Sequence, residues 1–111
     1  MTYSDAIIRL GSRDSRRIAN NTYLERRANS DIAVKLHRTD VLTYHADGSV
    51  TLNSGGWQTY TTKARMNAYL PYGYRVYQRC FAWYVWNYRA EHTRSNGRID
   101  YFDGLTLQEA N

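Results

Sequence analysis

Arginine and tyrosine are the residues through which this 111-residue chain could do the most chemistry. It has 15 Lys and Arg against 10 Asp and Glu, for a formal net charge of +5, and thirteen of the 15 cations are Arg. A planar guanidinium donates two parallel hydrogen bonds to a phosphate, and a tyrosine ring stacks on a nucleic-acid base. The composition therefore favours an anionic partner such as nucleic acid, without establishing one.

The cations are concentrated in two segments of the chain. Residues 9–38 hold eight basic residues against three acids, and residues 63–98 hold seven basic residues against one acid. If folding brings both segments to one face, they form a phosphate-binding surface; the alternative is an ordinary solvated face of charges. The candidate nucleic-acid-binding residues are Arg13, Arg16, Arg17, Arg26, Lys63 and Arg65 for phosphates, with Tyr60 and Tyr72 as stacking rings.

Aromatic residues are dense and interleaved with arginine in the second half of the chain. Eleven Tyr and three Trp are many for this length. The interleaved residues are Tyr72, Tyr74, Arg75, Tyr77, Arg79, Tyr84, Tyr88 and Arg89. Each base stacked on an exposed ring contributes about 1–3 kcal/mol to binding. The alternative is that Tyr and Trp fill a core poor in Leu and Ile, and we expect most rings, including Trp57 and Trp83, to be structural.

Catalytic and metal-binding patterns are weak. His37, Asp40 and His45 lie close in sequence, but two histidines and a carboxylate on paired strands are more often surface residues than metal ligands. Ser54 lies in no G-x-S-x-G motif, and no Walker-type glycine loop is present. Residues 61–63 could present a helix N-terminus to a phosphate or simply cap the helix. We expect no enzyme, no metal and no cofactor. An enzyme that uses His37, Asp40 or His45 is a third hypothesis, after the two that are given at the end of this section.

Length and composition indicate a single domain, residues 1–111. Cys80 is the only cysteine, so an internal disulfide or a Cys-based zinc site cannot form. No apolar stretch approaches the roughly 18 residues of a membrane-spanning helix, and the N-terminus lacks a signal-peptide pattern. We therefore expect a soluble, intracellular protein with no membrane partner.

The elements that would position these side chains follow from periodicity and caps. A short N-terminal helix within residues 1–10 is predicted to begin at Ser4 or Asp5 and to end at Gly11. Residues 12–21 are predicted as a loop with a basic tip. That loop would carry three of the candidate arginines into solvent.

Alternation of apolar and polar residues predicts strands through the middle of the chain. The apolar positions are Tyr23, Ile32, Val34, Leu36, Val41, Val50 and Leu52. Asn29–Asp31 and the Asp47–Gly48 pair are the predicted hairpin turns.

The second half of the chain is predicted to hold a central helix and further strands. The helix begins at Thr61 or Thr62 and ends at Pro71. A hairpin turn is predicted at Gln78–Arg79, and a short last strand at Arg98–Phe102. The predicted fold class is α+β: a small twisted antiparallel sheet with one central helix and a short N-terminal helix.

Short motifs spread along the chain carry a resemblance to a known family. They are Asn20-Asn21-Thr22-Tyr23-Leu24-Glu25-Arg26-Arg27, Thr39-Asp40-Val41, Asp47-Gly48-Ser49, Ser54-Gly55-Gly56-Trp57 and Thr61-Thr62-Lys63. In this order they resemble a family of small bacteriophage proteins, over most of the chain from about Leu10 to Gly104. The resemblance implies a phage genome and a location in the host cytoplasm or the virion, and it supplies no activity.

Two functional hypotheses follow. The first is a small phage accessory protein that binds nucleic acid, or a nucleic-acid-containing host complex, through Arg and Tyr. The alternative is an anti-defence protein that inhibits a bacterial defence or transcription complex, either through its aromatic residues 72–88 or by sequestering a signalling nucleotide. A sheet with edge strands and many rings also leaves a homodimer open.

Overall fold

Two helices, nine strands and two short 3-10 turns form the described part of the computed structural model, which comprises residues 1–90 and 97–108. In chain order they are α1 (Tyr3–Leu10), β1 (Ser15–Ala19), β2 (Thr22–Arg26), a 3-10 turn (Ala28–Ser30), β3 (Ile32–Leu36), β4 (Thr39–Tyr44), β5 (Val50–Leu52), α2 (Tyr60–Tyr69), β6 (Tyr74–Arg79), β7 (Ala82–Asn87), a 3-10 turn (Tyr88–Ala90), β8 (Arg98–Asp100) and β9 (Leu105–Leu107). The predicted α+β class is confirmed.

Helix α1 begins at a capping box. Thr2 Oγ1 accepts a hydrogen bond from the Asp5 backbone at 3.2 Å, and the Asp5 carboxylate accepts one from the Thr2 backbone at 3.0 Å. Gly11 ends the helix with a φ of 63°. The predicted helix is confirmed, but its cap is Thr2 and not Ser4 or Asp5, because Asp5 fills the third position of the capping box.

The larger antiparallel sheet has the strand order β1-β2-β3-β4-β5-β9. The alternating strands predicted from the apolar residues are present, and their inward side chains, such as Ile32 and Val34, are fully buried. The loop predicted for residues 12–21 is wrong in part, because Ser15–Ala19 form β1 and pair with β2. This edge strand is exposed along most of its length, so no hydrophobic alternation marks it.

The smaller antiparallel sheet has the order β6-β7-β8. Its first hairpin turns at Cys80 and Phe81, whose φ angles are 51° and 67°. The predicted turn at Gln78–Arg79 is therefore wrong by two residues, because the ladder between β6 and β7 continues through both of them. Val76 and Val85 pair on the inward face of this sheet and are buried.

Helix α2 packs against β3 and β4 of the larger sheet and β6 of the smaller one. Its N-cap is Thr59, whose Oγ1 accepts a hydrogen bond from the Thr62 backbone at 3.2 Å. The predicted cap at Thr61 or Thr62 is thus wrong, since the extended backbone that a cap requires occurs at Thr59. The helix ends at Tyr69, before Pro71, as predicted.

Both helices and both sheets contribute to one hydrophobic core. Its fully buried side chains include Ala6, Leu24, Ile32, Val34, Leu42, Val50, Leu52, Met66 and Val85. Among the described residues, neither helix has the length and apolar character needed to cross a membrane.

Candidate nucleic-acid interface

The outward side of the smaller sheet presents arginines and aromatic rings in rows. Strand pairing places Arg75 opposite Trp86 and Trp86 opposite Arg98, and it places Tyr77 opposite Tyr84. Alternate residues of a strand share a side, so these side chains face away from the core valines. We call this surface the β6–β8 face; its residues are Arg75, Tyr77, Arg79, Tyr84, Trp86 and Arg98.

The arginines of the β6–β8 face are exposed, and its rings are half-buried. The Tyr77 and Tyr84 ring centroids are 5.6 Å apart, and the Arg98 guanidinium lies 5.3 Å from the Tyr84 centroid. Within the described part of the chain, none of the ion pairs includes Arg75 or another arginine of this face. Asp100, opposite Tyr84, is the carboxylate that the described strands place on this side.

The β6–β8 face continues onto α2. A shallow groove of about 430 Å³ is lined by Tyr60 and Lys63 of α2 together with Arg75 and Tyr77 of β6. The Tyr60 side chain is exposed, and the Lys63 Nζ lies 3.5 Å from the Oε1 of Gln78, whose position on β6 alternates to the inward side. Two of the residues selected from the sequence, Tyr60 and Lys63, therefore adjoin this face.

One asparagine of α2 bonds to the backbone at the open edge of β6. The Asn67 Nδ2 donates to the Val76 carbonyl at 2.9 Å, and the Asn67 Oδ1 accepts from the Val76 backbone N–H at 2.7 Å. A side-chain amide that satisfies both polar groups of one strand residue fixes the strand in register with the helix. The Asn67 amide therefore fixes the backbone of the strand that carries the tyrosine rings of β6.

The candidate arginines of residues 13–26 lie on or beside β1 and β2, at one edge of the larger sheet, and several of them donate to backbone carbonyls. The Arg16 Nη1 donates to the Arg9 carbonyl at 2.6 Å, near the end of α1. The Arg26 Nη2 donates to the carbonyls of Gly11 and Arg13 at 3.1 and 3.2 Å. These donors stabilise the connection between α1 and β1, whereas the Arg13 side chain is exposed.

Arg65 is a point at which the two basic segments meet. Its Nε donates to the Thr22 Oγ1 at 2.9 Å, and its Nη2 donates to the Asn20 carbonyl at 3.4 Å. Arg17 is exposed and donates to the Ala19 carbonyl at 3.3 Å. The candidate arginines of residues 13–26 thus lie around β1 and β2, while the β6–β8 face is built from other arginines. Arg98 was not selected from the sequence, because no turn signal indicates which side chains of its strand face outward.

Ion pairs neutralise two cations, Arg27 and Lys35, on the outward side of the larger sheet. Arg27 donates to Asp40 at 3.0 and 2.8 Å and to Glu25 at 2.9 Å, and the Lys35 Nζ lies 2.8 Å from Glu25. The hydrogen bond from Lys35 outweighs the effect of burial and, with that from Arg27, holds the pKa of Glu25 below its ordinary value. The hydrogen bonds that Arg27 donates, first to Asp40 and then to Glu25, raise the pKa of Arg27.

The residues considered for catalysis have separate partners. Asp40 is held by Arg27, and the His45 Nδ1 lies 3.1 Å from Asp31, whereas His37 is exposed in the turn between β3 and β4 with a φ of 55°. Over residues 1–90 and 97–108, no group of three His, Cys, Asp or Glu side chains could hold a metal ion. The expectation about enzymatic activity stays a prediction.

The aromatic residues outside the β6–β8 face differ widely in exposure. Trp83 is 5% exposed and belongs to the core, as expected. The expectation for Trp57 is wrong: its side chain is 68% exposed, because it follows the Gly55–Gly56 turn on a surface loop. Tyr72 is 85% exposed, and the Arg89 guanidinium lies 5.8 Å from its ring centroid.

Comparison with known proteins places the chain in a family. The model of the Kyanoviridae Gp96 protein family matches residues 4–108, whereas searches of curated proteins and of solved structures find no match. The resemblance to bacteriophage proteins drawn from the motifs is confirmed by this match. Because the match covers nearly the whole sequence, the chain belongs to the Kyanoviridae Gp96 protein family, a family of bacteriophage proteins.

Proposed function

We propose that this phage protein binds single-stranded nucleic acid through the β6–β8 face. The observation that supports the proposal is the alternation of exposed arginines with partly exposed rings on three antiparallel strands. Bases stack on the rings while the guanidinium groups contact backbone phosphates. Such a surface has low sequence specificity, since every base offers a flat face and every nucleotide a phosphate.

The placement of the rings favours single strands over a duplex. Tyr77, Tyr84 and Trp86 are half-buried within the sheet, so only a base that is already unpaired can reach their faces. Duplex binding would use the arginines alone. The protein is therefore expected to bind a single strand more tightly than a duplex of the same length.

Fluorescence anisotropy with a labelled oligothymidine of about 16 nucleotides tests the proposal. If Arg75, Arg79 and Arg98 each contact one phosphate, raising the salt concentration from about 50 to 200 mM weakens binding roughly 20-fold. The reason is that the logarithm of the binding constant falls with the logarithm of the salt concentration, with a slope of about −0.7 per phosphate contact. The absence of binding to single-stranded DNA and RNA at the lower salt concentration would contradict the proposal.

A matched pair of variants separates the face from general positive charge. Arg75→Ala with Arg98→Ala removes two exposed arginines of the β6–β8 face, and Arg13→Ala with Arg17→Ala removes two exposed arginines near β1. Both double variants lower the net charge of the protein by the same amount. The first is expected to weaken binding about 30-fold and the second less than about 3-fold. Equal losses would assign binding to net charge.

A protein partner is the second candidate function. Phe81 is 93% exposed at the tip of the β6–β7 hairpin, in a left-handed conformation that bulky residues rarely adopt. An exposed aromatic residue on a strained turn is a candidate anchor in a protein interface, as an inhibitor of a bacterial defence or transcription complex would require. A host protein captured from nuclease-treated lysate by the original chain but not by Phe81→Ala would favour this function; capture by both, or by neither, would argue against it.

A further inference from the structure

A cavity of about 550 Å³ opens beside the N-terminal turn of α2. The buried side chains of Leu36 and Val41 contribute its apolar lining. The exposed turn between β3 and β4 supplies His37 and Arg38, and the loop before α2 supplies Trp57. Its volume is within the range of small-molecule sites, and an apolar lining with a few polar groups is the usual composition of such sites.

The loop that carries Trp57 is braced despite its exposure. The backbone N–H and Oγ of Ser54 donate to the Asp103 Oδ1 at 2.9 and 2.8 Å, and the Trp57 backbone donates to the Ser54 carbonyl at 3.0 Å. Gly55 packs so closely that a Cβ there would lie 2.7 Å from the Thr39 Oγ1. An exposed indole on a fixed loop beside an apolar cavity is suited to stacking on a flat ring.

The polar side of the cavity suits an anion. The residues that line it include Arg38 and His37 and no Asp or Glu. Over the described ranges, Arg38 has neither an ion pair nor a side-chain hydrogen bond, so its guanidinium is available to a ligand. The hydroxyl of Thr61 on the first turn of α2 adds a neutral donor.

We propose that this cavity binds a nucleoside monophosphate. The base stacks on Trp57 above the apolar lining, and the phosphate accepts hydrogen bonds from Arg38. The site is separate from the β6–β8 face: Thr59, Thr61 and Thr62 line the cavity, whereas Tyr60 and Lys63 line the groove that adjoins that face. The inference therefore does not depend on oligonucleotide binding.

Thermal unfolding and tryptophan fluorescence with AMP, GMP, CMP and UMP test the proposal. For a dissociation constant of about 1 mM, a nucleotide at about 5 mM raises the melting temperature by roughly 4 °C or more. It also quenches the fluorescence of Trp57, the most exposed of the three tryptophans. Adenosine and inorganic phosphate, which each supply half of the ligand, are expected to give less than about a third of either signal.

Substitutions at the two ends of the site locate the ligand. Arg38→Ala and Trp57→Ala are each expected to weaken nucleotide binding about tenfold, whereas Trp57→Phe keeps a stacking ring and weakens it less than about threefold. Both residues are exposed, so the variants are expected to fold. The double variant Arg75→Ala with Arg98→Ala is expected to bind the nucleotide as tightly as the original chain does, and Arg38→Ala is expected to keep the original affinity for oligothymidine.

Three results would overturn the inference. The first is the absence of both a thermal shift and quenching with all four nucleotides. The second is unchanged binding in Arg38→Ala and Trp57→Ala, and the third is a loss confined to the variant of the β6–β8 face. Failure of oligothymidine binding with intact nucleotide binding would contradict the proposed function alone, so the two claims are distinguished.

Discussion

The two arginine-rich regions of the molecule differ in what their guanidinium groups contact. Around β1 and β2, Arg16 and Arg26 donate to backbone carbonyls, and Arg27 is held by two carboxylates. On the β6–β8 face, Arg75 and Arg98 are exposed beside aromatic rings. The number of cations in a segment therefore does not show how many of them can bind a ligand, because nearby carbonyls and carboxylates already accept hydrogen bonds from some of them.

Removal of the Asn67 amide, which joins the edge of β6 to α2, is expected to have the largest effect on stability. Asn67→Ala leaves the buried N–H and carbonyl of Val76 without their partners, which costs about 2–3 kcal/mol of unfolding free energy. Urea denaturation followed by circular dichroism measures the change. Asn20→Ala, at an exposed position of the β1–β2 turn, is the control and is expected to cost less than about 0.5 kcal/mol.

An unchanged midpoint in Asn67→Ala would contradict the view that this amide anchors β6 to α2. The variant also separates the two regions of the molecule. If the face depends on the anchor, oligothymidine affinity falls with stability, whereas the ion pairs of the larger sheet are unaffected.

The rings distinguish the β6–β8 face from the region around β1. Tyr77→Ala is expected to weaken oligothymidine binding by about 1–2 kcal/mol, close to the stacking contribution of one base. Tyr77→Phe keeps the ring and is expected to bind within about twofold of the original chain. Anisotropy titrations of both variants decide the point, and equal losses would show that the hydroxyl, not stacking, carries the contact.

Arg65 and Arg79 form a matched pair for separating structural from binding roles. Arg65→Ala removes the hydrogen bond to the buried Thr22 and is expected to lower the unfolding free energy by about 1 kcal/mol without changing oligothymidine affinity. Arg79→Ala, on the exposed face, is expected to leave stability within about 0.5 kcal/mol and to weaken binding about fivefold. The reverse pattern would exchange the roles assigned to the two regions.

The smallest expected effect concerns acid pH. Glu25 has a pKa below its ordinary 4.5 in the folded protein, owing first to the hydrogen bond from Lys35. A carboxylate with a lowered folded pKa stabilises the protein above its unfolded pKa, and that contribution is lost as the pH falls through the folded pKa. Glu25→Gln is therefore expected to show a shallower loss of stability below pH 4.5 than the original chain.

Denaturation curves between neutral and acid pH measure this difference. At neutral pH the same substitution is expected to cost no more than about 1 kcal/mol, because the ion pairs are partly exposed. Identical acid limbs in both proteins would contradict the assigned role of Glu25. Oligothymidine affinity is expected to be the same for both proteins, since Glu25 lies on the larger sheet.

Much of the fold could be predicted from the sequence because its signals are local. The alternating apolar residues and the turns at Asn29–Asp31 and Asp47–Gly48 were sufficient to predict the β2–β3 and β4–β5 hairpins of the larger sheet. Strand β1 was not predicted, because an edge strand with exposed side chains has no alternation of apolar and polar residues. The division into two sheets depends on long-range packing of α2, which no local pattern encodes.

The candidate site was less accessible to sequence reasoning. The interleaving of Arg75, Tyr77 and Arg79 signals one side of a strand, but assigning Arg98 and Trp86 to the same side requires the true position of the β6–β7 turn. The Cys80–Phe81 turn contains neither Gly nor Asn, so its left-handed conformation gives no sequence signal. Counting arginines favoured residues 13–26 because carbonyl contacts made through folding are invisible in a sequence.

A chemical-shift map of the isotope-labelled protein with oligothymidine shows whether the β6–β8 face is the nucleic-acid-binding surface. Backbone amide signals of β6, β7 and β8, with those of Tyr60 and Lys63, are expected to move in proportion to bound oligonucleotide. Signals of α1, β1 and β2 are expected to stay in place. Movement confined to residues 13–26, or spread evenly over all arginine-bearing segments, would contradict the account.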